Sequence, residues 1–218
     1  MTVPASGPIA VFAVEDSAPV LRALRKQLGG FPELSLVGAA TSGEEALELV
    51  PGSGARVVLM DLELPGASGV ETTRALKAVL DIDVLVLTSF EHEDHVFAAM
   101  RAGASGYVVK GAAGAKLLAA IQEVEAGGTV IEPRLARRFW AYFKGVQEPR
   151  KEGVTLTPLE REILFAIAKG LSNEEVGQVV NLDRRTVRTQ LGHIYGKLGV
   201  RSHVEAVVKA LKLGLLEL

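Results

Sequence analysis

Short apolar runs alternate with segments of helical spacing through the first 130 residues. The apolar runs, which predict strands, are Ile9–Val14, Leu34–Ala40, Val57–Met60, Val84–Thr88 and Gly106–Val109. The segments that follow them, which predict helices, are Pro19–Leu28, Glu44–Val50, Val70–Val79, Asp94–Arg101 and Ala115–Ala126. Strands that alternate with single helices indicate βαβ units, and so a parallel sheet with helices on both faces. We expect an α/β domain with a doubly wound, five-stranded parallel sheet, in which ligands bind outside the carboxyl ends of the strands.

The pattern changes after residue 130, where the strand signal ends. The stretch Pro133–Gly145 predicts a short amphipathic helix, and the polar residues after it are typical of a linker. Residues 155–218 contain no strand pattern and predict four short helices. We therefore expect an α/β domain over residues 1–130, a linker with a short helix over 131–154, and a small all-α domain over 155–218.

Helix-start signals support this view of the last region. A serine or threonine followed three residues later by glutamate, the spacing of a capping box, occurs at Thr157, Ser172 and Ser202. Asp183 is a suitable N-cap for a helix over Arg184–Leu198. The apolar residues of that helix form one stripe, which predicts a single buried face: Val187, Leu191, Ile194 and Leu198.

Composition narrows the classes of function. The chain has 218 residues and no cysteine, which excludes a disulfide framework, a thiol nucleophile and a cysteine zinc site. Its N-terminus lacks the pattern of a signal peptide, and no apolar segment approaches the roughly 20 residues that cross a bilayer. We expect a cytoplasmic protein with no membrane partner.

The net charge of −2 conceals a difference between the two regions. Residues 151–218 hold ten lysines and arginines against eight acids. No acid lies within 184–201, and the basic residues there are Arg184, Arg185, Arg188, Lys197 and Arg201.

Positions 184, 185, 188, 189 and 192 cannot all lie on the apolar stripe of this helix, so they are available to face DNA. A helix, a short turn and a second, basic helix are typical of a helix-turn-helix, whose second helix enters the major groove. A merely solvated basic face is the alternative.

Charged and polar residues follow the predicted strands at the edge where a ligand is expected. They are Glu15 and Asp16 after the first strand, Asp61 after the third, Thr88 at the end of the fourth and Lys110 after the fifth. Acids gathered this closely repel one another unless a cation lies among them, and oxygen ligands favour Mg²⁺. Any one of these residues alone is more often a cap or a turn residue. Together they indicate a site for phosphoryl transfer, in which a carboxylate can be the nucleophile.

Four segments of the first domain resemble the receiver domain of two-component response regulators: "AVED", "LMDLELPGASG", "VLVLTS" and "GASGYVVKG". The resemblance implies that Asp61 is the phosphoacceptor for a sensor histidine kinase, and that Thr88 and Lys110 bind the phosphoryl oxygens. It also implies that Tyr107 rotates as Thr88 moves. For the metal it implies an Mg²⁺ site made by Glu15, Asp16 and Asp61, together with the main-chain carbonyl of Glu63. Two positions depart from the common pattern: Glu15 stands where aspartate is commoner, and Gly111 stands where proline is frequent.

The segment from Leu156 to Val207 resembles the DNA-binding domain of LuxR-type regulators of the NarL/FixJ class along its whole length. The resemblance implies that Arg188, Thr189 and Gly192 face the bases, and that Arg185 and Thr186 contact the DNA backbone. It further implies that the last helix, about Val204–Leu211, takes part in dimerisation.

Taken together, these features predict a transcriptional regulator that binds double-stranded DNA and is controlled by phosphorylation, rather than an enzyme. Phosphorylation of Asp61 is expected to promote a homodimer that binds DNA. One alternative is an aspartyl-phosphate hydrolase or phosphotransferase. Enzymes of the haloacid-dehalogenase type need a second aspartate two residues after the nucleophile, where this chain has Glu63. Another alternative is a DNA-binding regulator that works without phosphorylation.

Overall fold

The computed structural model describes residues 7–89, 93–131 and 154–216. The chain divides into two compact units, residues 1–125 and residues 126–218. The predicted linker and its short helix lie almost wholly outside the described residues, so the three-part division stays a prediction. Within the part of the chain that is described, no helix is long and apolar enough to span a bilayer.

The first unit alternates strands and helices as the apolar pattern predicts. Its strands are β1 (Ile9–Val14), β2 (Leu34–Ala40), β3 (Val57–Asp61), β4 (Asp83–Thr88) and β5 (Gly106–Val109). Its α-helices are α1 (Ala18–Leu28), α2 (Gly43–Leu49), α3 (Gly69–Val79), α4 (Glu93–Ala102) and α5 (Gly114–Glu125), with a 3-10 turn over Val50–Gly52. Each end lies within one residue of its prediction, which confirms these elements.

The five strands form one parallel sheet in the order β2-β1-β3-β4-β5. Helix α1 packs beside α5, whereas α2, α3 and α4 pack in a row. This is the doubly wound topology predicted from the sequence. Its strand order reverses between β1 and β3, and the crevice at such a point is where ligands bind in open α/β sheets.

The burial of the central strands gives the carboxyl-end edge of the sheet a defined position. All five residues of β3 and all six of β4 are buried, including the acid that ends β3. Side chains from β1, β3 and β4 form an apolar cluster with residues of α2 and α3, among them Phe12, Met60 and Leu76. Because the strands are anchored along their length, the residues at their carboxyl ends have defined positions.

The second unit is all helical over residues 154–216, as predicted. Its helices are α6 (Pro158–Ala168), α7 (Asn173–Val180), α8 (Arg184–Leu198) and α9 (His203–Lys212). The predicted stripe of α8 is buried and joins one core with residues of α6, α7 and α9. Asn181 ends α7 with a left-handed backbone (φ 56°), a conformation that asparagine tolerates well, and the turn leads directly into α8.

The helix caps of the second unit differ in one detail from the predicted capping boxes. Thr157 and Ser172 form complete boxes with their glutamates. At Ser202 the cap hydroxyl accepts a hydrogen bond from the Glu205 N–H, but the Glu205 carboxylate accepts one from the N–H of Arg201, one residue before the cap. In the first unit, Ser68 and Glu71 form a further complete box at the start of α3.

Candidate functional site

The sheet brings the predicted strand-end residues to one edge. Asp61 ends β3 and lies opposite Leu87 of β4, and Thr88 ends β4 opposite Val109 of β5. Lys110 follows β5 directly, and its N–H donates a hydrogen bond of 2.8 Å to the Thr88 carbonyl. The parallel register therefore places residues that are far apart in sequence around one crevice.

Three carboxylates meet at this edge. One oxygen each from Glu15, Asp16 and Asp61 lies within 4.8 Å of the other two. Glu15 is fully buried and Asp61 is 2% exposed, whereas Asp16 is exposed. Such a cluster of hard oxygen ligands, open on one side, suits a divalent cation that retains water ligands.

Lys110 is the cation that the chain itself supplies to the cluster. Its Nζ lies 2.7 Å from Asp61 Oδ2 and 3.0 Å from Glu15 Oε2. The contact with Glu15 is an ion pair without hydrogen-bond geometry, and no other described group donates a hydrogen bond to this buried oxygen. One ammonium therefore serves two carboxylates and leaves a buried oxygen incompletely satisfied.

The balance of charge shifts the pKa values of both partners. Burial raises the pKa of Glu15, the ion pair with Lys110 offsets this only in part, and the nearby Asp61 raises it further. Burial alone would lower the pKa of Lys110, but its contacts with Asp61 and Glu15 raise it above the ordinary value. Three carboxylates that share one ammonium leave negative charge for a second cation to neutralise, which fits the prediction of a metal site.

Two main-chain amides orient the acids, and sequence reasoning did not identify either. The N–H of Ser17 donates to Glu15 Oε1, and the N–H of Glu63 donates to Asp61 Oδ1, both at 3.2 Å. Each donor lies two residues after its acceptor, which for Asp61 is the spacing of an Asx turn. The side chain of Glu63 is exposed, and the carbonyl of Glu63 as a metal ligand stays a prediction.

Thr88 and Tyr107 are both buried near the crevice. Thr88 is 7% exposed, and its hydroxyl donates a hydrogen bond of 2.9 Å to the Ser89 carbonyl. Tyr107 lies within β5, opposite Val86 of β4, and is 2% exposed. Thr88 therefore lies at the rim of the pocket and Tyr107 on the neighbouring strand.

The second candidate site is the surface of α8. Arg185, Thr189 and Gly192 are exposed, and Arg184, Thr186 and Arg188 are half-buried. None of these predicted DNA-binding positions belongs to the buried stripe of α8. The helix thus presents one apolar face to its own core and a polar, arginine-bearing surface on the other side.

The hydroxyls of the two threonines among the predicted DNA-binding residues donate hydrogen bonds within the domain. The hydroxyl of Thr186 donates to Asp183 Oδ2 at 2.6 Å, as part of the predicted N-cap of α8. The hydroxyl of Thr189 donates to the Arg185 carbonyl at 3.1 Å. A contact from Thr186 to a phosphate oxygen would require its hydroxyl to leave Asp183.

The basic residue Lys197 has a structural partner that the charge pattern did not reveal. Its Nζ lies 2.7 Å from Glu160 Oε2, on a side chain that is 5% exposed at the first turn of α6. Thr157 also donates its N–H to the same oxygen. Lys197 therefore joins the end of α8 to the start of α6.

Comparisons with known proteins agree with both regions. Residues 11–122 match the response regulator receiver domain, and residues 154–210 match the luxR family of bacterial regulatory proteins. Each match coincides with one of the two units in which a candidate site was found.

Individual relatives cover nearly the whole chain. The DNA-binding transcriptional activator DevR/DosR of Mycobacterium tuberculosis is 35% identical over 206 residues, which are 94% of this chain and 95% of that protein. The nitrate/nitrite response regulator protein NarL of Escherichia coli is 32% identical, over 92% of this chain and 94% of that protein. Among solved structures, the response regulator ChrA of a heme-sensing two-component system has a TM-score of 0.54 and 33% identity, over 97% of this chain and all of that one.

A parallel sheet with an acidic pocket, followed by a helix-turn-helix, defines the class of two-domain response regulators. The chain belongs to this family: it has a response regulator receiver domain and a LuxR-family DNA-binding domain. It is a phosphorylation-dependent, DNA-binding transcription regulator, which confirms the predicted class and function. The family favours this reading over the phosphohydrolase alternative.

Proposed function

We propose that Asp61 is the residue that accepts the phosphoryl group, and that a sensor histidine kinase supplies it. The observation that carries this proposal is the position of the Asp61 carboxylate, which ends a buried strand inside the crevice with Lys110 Nζ 2.7 Å from it. An oxygen of Asp61 attacks the phosphorus, the P–N bond of the phosphohistidine breaks, and the electron pair returns to the imidazole. The product is an acyl phosphate on Asp61.

The neighbouring residues support this transfer by charge and position. Glu15 and Asp16 would hold Mg²⁺ together with Asp61 and the carbonyl of Glu63. The metal, when bound, neutralises negative charge that gathers on the phosphoryl oxygens. Lys110 supplies a positive charge on the other side of Asp61, and the hydroxyl of Thr88 supplies a hydrogen-bond donor at the rim. The ligand set fits because a buried oxygen of Glu15 lacks a full partner.

The same residues would carry the signal away from the pocket. Thr88 must turn its hydroxyl from the Ser89 carbonyl in order to reach a phosphoryl oxygen on Asp61. We expect Tyr107, which is buried on the adjacent strand, to change its packing with that movement. The outcome is a receiver surface that differs between the two states and favours a homodimer.

The DNA-binding part of the proposal rests on the exposed surface of α8. Arg188, Thr189 and Gly192 would lie at the base edges, while Arg184, Arg185 and Thr186 would contact the DNA backbone. A dimer through α9 would present two such helices to a two-fold site. A regulator that binds DNA works where the chromosome lies, so we place this protein in the cytoplasm. We retain the division into residues 1–130, 131–154 and 155–218.

The experiment that tests the acceptor uses the full chain with acetyl phosphate and Mg²⁺, which dispenses with the kinase. We expect wild type to gain one phosphoryl group, measured by intact mass, and Asp61→Ala to gain none. Equal labelling of the variant would disprove the assignment of Asp61.

The second part of the experiment, the DNA arm, measures the affinity of the protein for a duplex selected from random sequence by the wild-type protein.

In that arm, Arg188→Ala should lose about 1 to 3 kcal/mol of binding free energy if the residue reads a base. Arg161→Ala, which removes an exposed arginine from α6, is the matched control and should bind as wild type does. If Arg188→Ala binds as well as the control, the recognition surface of α8 is wrongly assigned.

A further inference from the structure

The turn that carries Lys110 has a backbone conformation that favours glycine. The N–H of Ala112 donates a hydrogen bond of 3.1 Å to the carbonyl of Val109, and this closes a β-turn over residues 109–112. Gly111 is the third residue of this turn and has φ 79°. Since Lys110 does not have positive φ, the turn is of type II, which favours glycine at its third residue, whereas proline is confined to φ near −65°. Gly111 therefore adopts a conformation here that a proline at the same position could not adopt.

A glycine turn has more backbone freedom than a proline turn, so Lys110 needs support from elsewhere. On its N-terminal side, Lys110 is held by its hydrogen bond to the Thr88 carbonyl. On the other side, the carbonyl of Ala112 accepts a hydrogen bond of 2.8 Å from Nε2 of Gln27, which lies 85 residues earlier in the chain. This is a specific contact from the last turn of α1 to the turn after β5.

Phe31 strengthens the same contact from the loop after α1. A Cβ built on Gly114 would lie 3.0 Å from the ring of Phe31 and 3.5 Å from Cγ of Gln27. Gly114 thus lets the ring and the Gln27 stem lie against the start of α5. Gln27 and Phe31 together form a bracket around residues 112–114.

Helix α1 consequently connects both charged sides of the pocket. Its first residue, Ala18, follows directly on Glu15, Asp16 and Ser17, and its last turn holds the turn that carries Lys110. We propose that Gln27 is a positioning residue: by holding the Ala112 carbonyl it fixes the turn from which Lys110 reaches Asp61 and Glu15. This inference rests on the proposed role of Asp61 as phosphoacceptor.

The test compares Gln27→Leu, which has similar size but no donor, with wild type in the full chain. We expect labelling by acetyl phosphate to slow about tenfold, because a displaced Lys110 no longer stabilises the charge that develops on the phosphoryl group. We also expect Mg²⁺, titrated alone and followed by backbone amide NMR shifts, to bind at least as tightly as in wild type. A looser ammonium competes less with the metal for the carboxylates.

The two measurements together separate positioning from general damage. A variant that merely destabilised the pocket would lose Mg²⁺ affinity and labelling rate in parallel, and that result would overturn the proposal. Gln27→Lys restores a donor and should recover much of the labelling rate, whereas Arg22→Gln, an exposed change on the same helix, should leave it unchanged. Labelling of Gln27→Leu at the wild-type rate also overturns it.

A third readout does not depend on phosphorylation. The amide of Ala112 closes the β-turn, and its hydrogen exchange should be faster in Gln27→Leu than in wild type. If wild type itself takes no phosphoryl group, the role of Asp61 is wrong, and this exchange rate alone decides whether Gln27 holds the turn. An unchanged rate would rule that out.

Discussion

Each of the two domains buries a glutamate that faces a lysine, and the two pairs differ in how well the acid is satisfied. Glu15 is fully buried with Lys110 Nζ 3.0 Å away, and Glu160 is 4% exposed with Lys197 Nζ 2.7 Å away. Oε2 of Glu160 accepts a hydrogen bond from its own lysine and another from the N–H of Thr157. Oε2 of Glu15 has only an ion pair, and shares that ammonium with Asp61.

The pKa values of the two glutamates shift in opposite directions as a result. Burial raises the pKa of Glu15, and the Lys110 contact does not compensate. Burial would also raise the pKa of Glu160, but the hydrogen bonds from Lys197 and Thr157 outweigh it and bring the value below 4.5. A buried acid that its fold fully satisfies is part of the scaffold. For a buried acid that its fold leaves short of positive charge, we expect an added cation to complete the site, as proposed above for Mg²⁺.

The largest expected effect comes from supplying that cation. At a hundredfold excess of Mg²⁺ over its dissociation constant, the free energy of unfolding of the receiver should rise by about 2.7 kcal/mol, by mass action. Glu15→Gln removes one ligand charge and should lose most of this gain. Differential scanning calorimetry with and without Mg²⁺ measures the difference.

Glu15→Gln also tests whether the ionised Glu15 side chain stabilises or destabilises the folded receiver. Because the pKa of Glu15 is raised on folding, stability falls as the pH rises from the ordinary value of 4.5 to the raised folded value, and the full cost remains at higher pH. Without Mg²⁺ at neutral pH, Glu15→Gln should therefore be more stable than wild type. Glu160→Gln, the matched control, should respond to Mg²⁺ as wild type does. A Glu15→Gln protein that Mg²⁺ stabilises as much as wild type would contradict the metal site.

A slightly smaller effect is expected at the satisfied glutamate. Glu160→Ala removes half of a capping box and leaves Lys197 without its partner, so the DNA-binding domain should lose about 1.5 to 2.5 kcal/mol. Urea unfolding measures this, and a double-mutant cycle with Lys197→Ala separates the ion pair from the cap. A loss that does not depend on Lys197 would assign the whole effect to the cap.

The stabilisation that Glu160 contributes to the DNA-binding domain should decrease at acidic pH. The pKa of Glu160 is lower in the folded state than 4.5, so its contribution is fully present above 4.5 and is lost as the pH falls through the folded value. The difference in stability between wild type and Glu160→Gln should narrow on acidification in that range. A difference that stays constant down to strongly acidic pH would contradict the lowered pKa.

The sequence predicted the fold and the pocket well because both follow from local patterns. Apolar runs locate the strands, and the carboxyl ends of parallel strands meet at one edge, so the sequence alone predicts that Asp61, Thr88 and Lys110 lie close together. The stripe of α8 likewise separated its core face from its polar face. These inferences need only the period of each element and the topology.

Contacts between distant side chains could not be predicted in this way. Nothing in the residues near Gln27 indicates that it holds the Ala112 carbonyl, and the basic pattern of α8 gave Lys197 the same character as the arginines. In the structure Lys197 is instead paired with Glu160 of another helix. A charge pattern shows how many charged residues a segment contains, but not which groups they contact. Whether this lysine is free or paired is determined only by the packing of α6 against α8.

The smallest expected effect on stability concerns two glycines on α8. They belong to the surface of this helix, whereas the glutamates compared above are buried. Gly192 and Gly196 are exposed, and an added Cβ at either position meets no atom within 4 Å. Alanine at either position should therefore stabilise α8 by about 1 kcal/mol, since glycine is a poor helix former. Thermal unfolding measures this gain, which should be the same for both variants.

DNA binding should distinguish the two glycines, because only Gly192 lies at a proposed base-facing position. A methyl group there adds bulk where the helix surface meets the groove, so Gly192→Ala should bind DNA more weakly than wild type although it folds more stably. Gly196→Ala is its matched control for stability and should bind more nearly as wild type does. If Gly192→Ala gains stability and keeps full affinity, then no base edge approaches α8 at this position, and the recognition surface must be centred closer to Arg185 and Arg188.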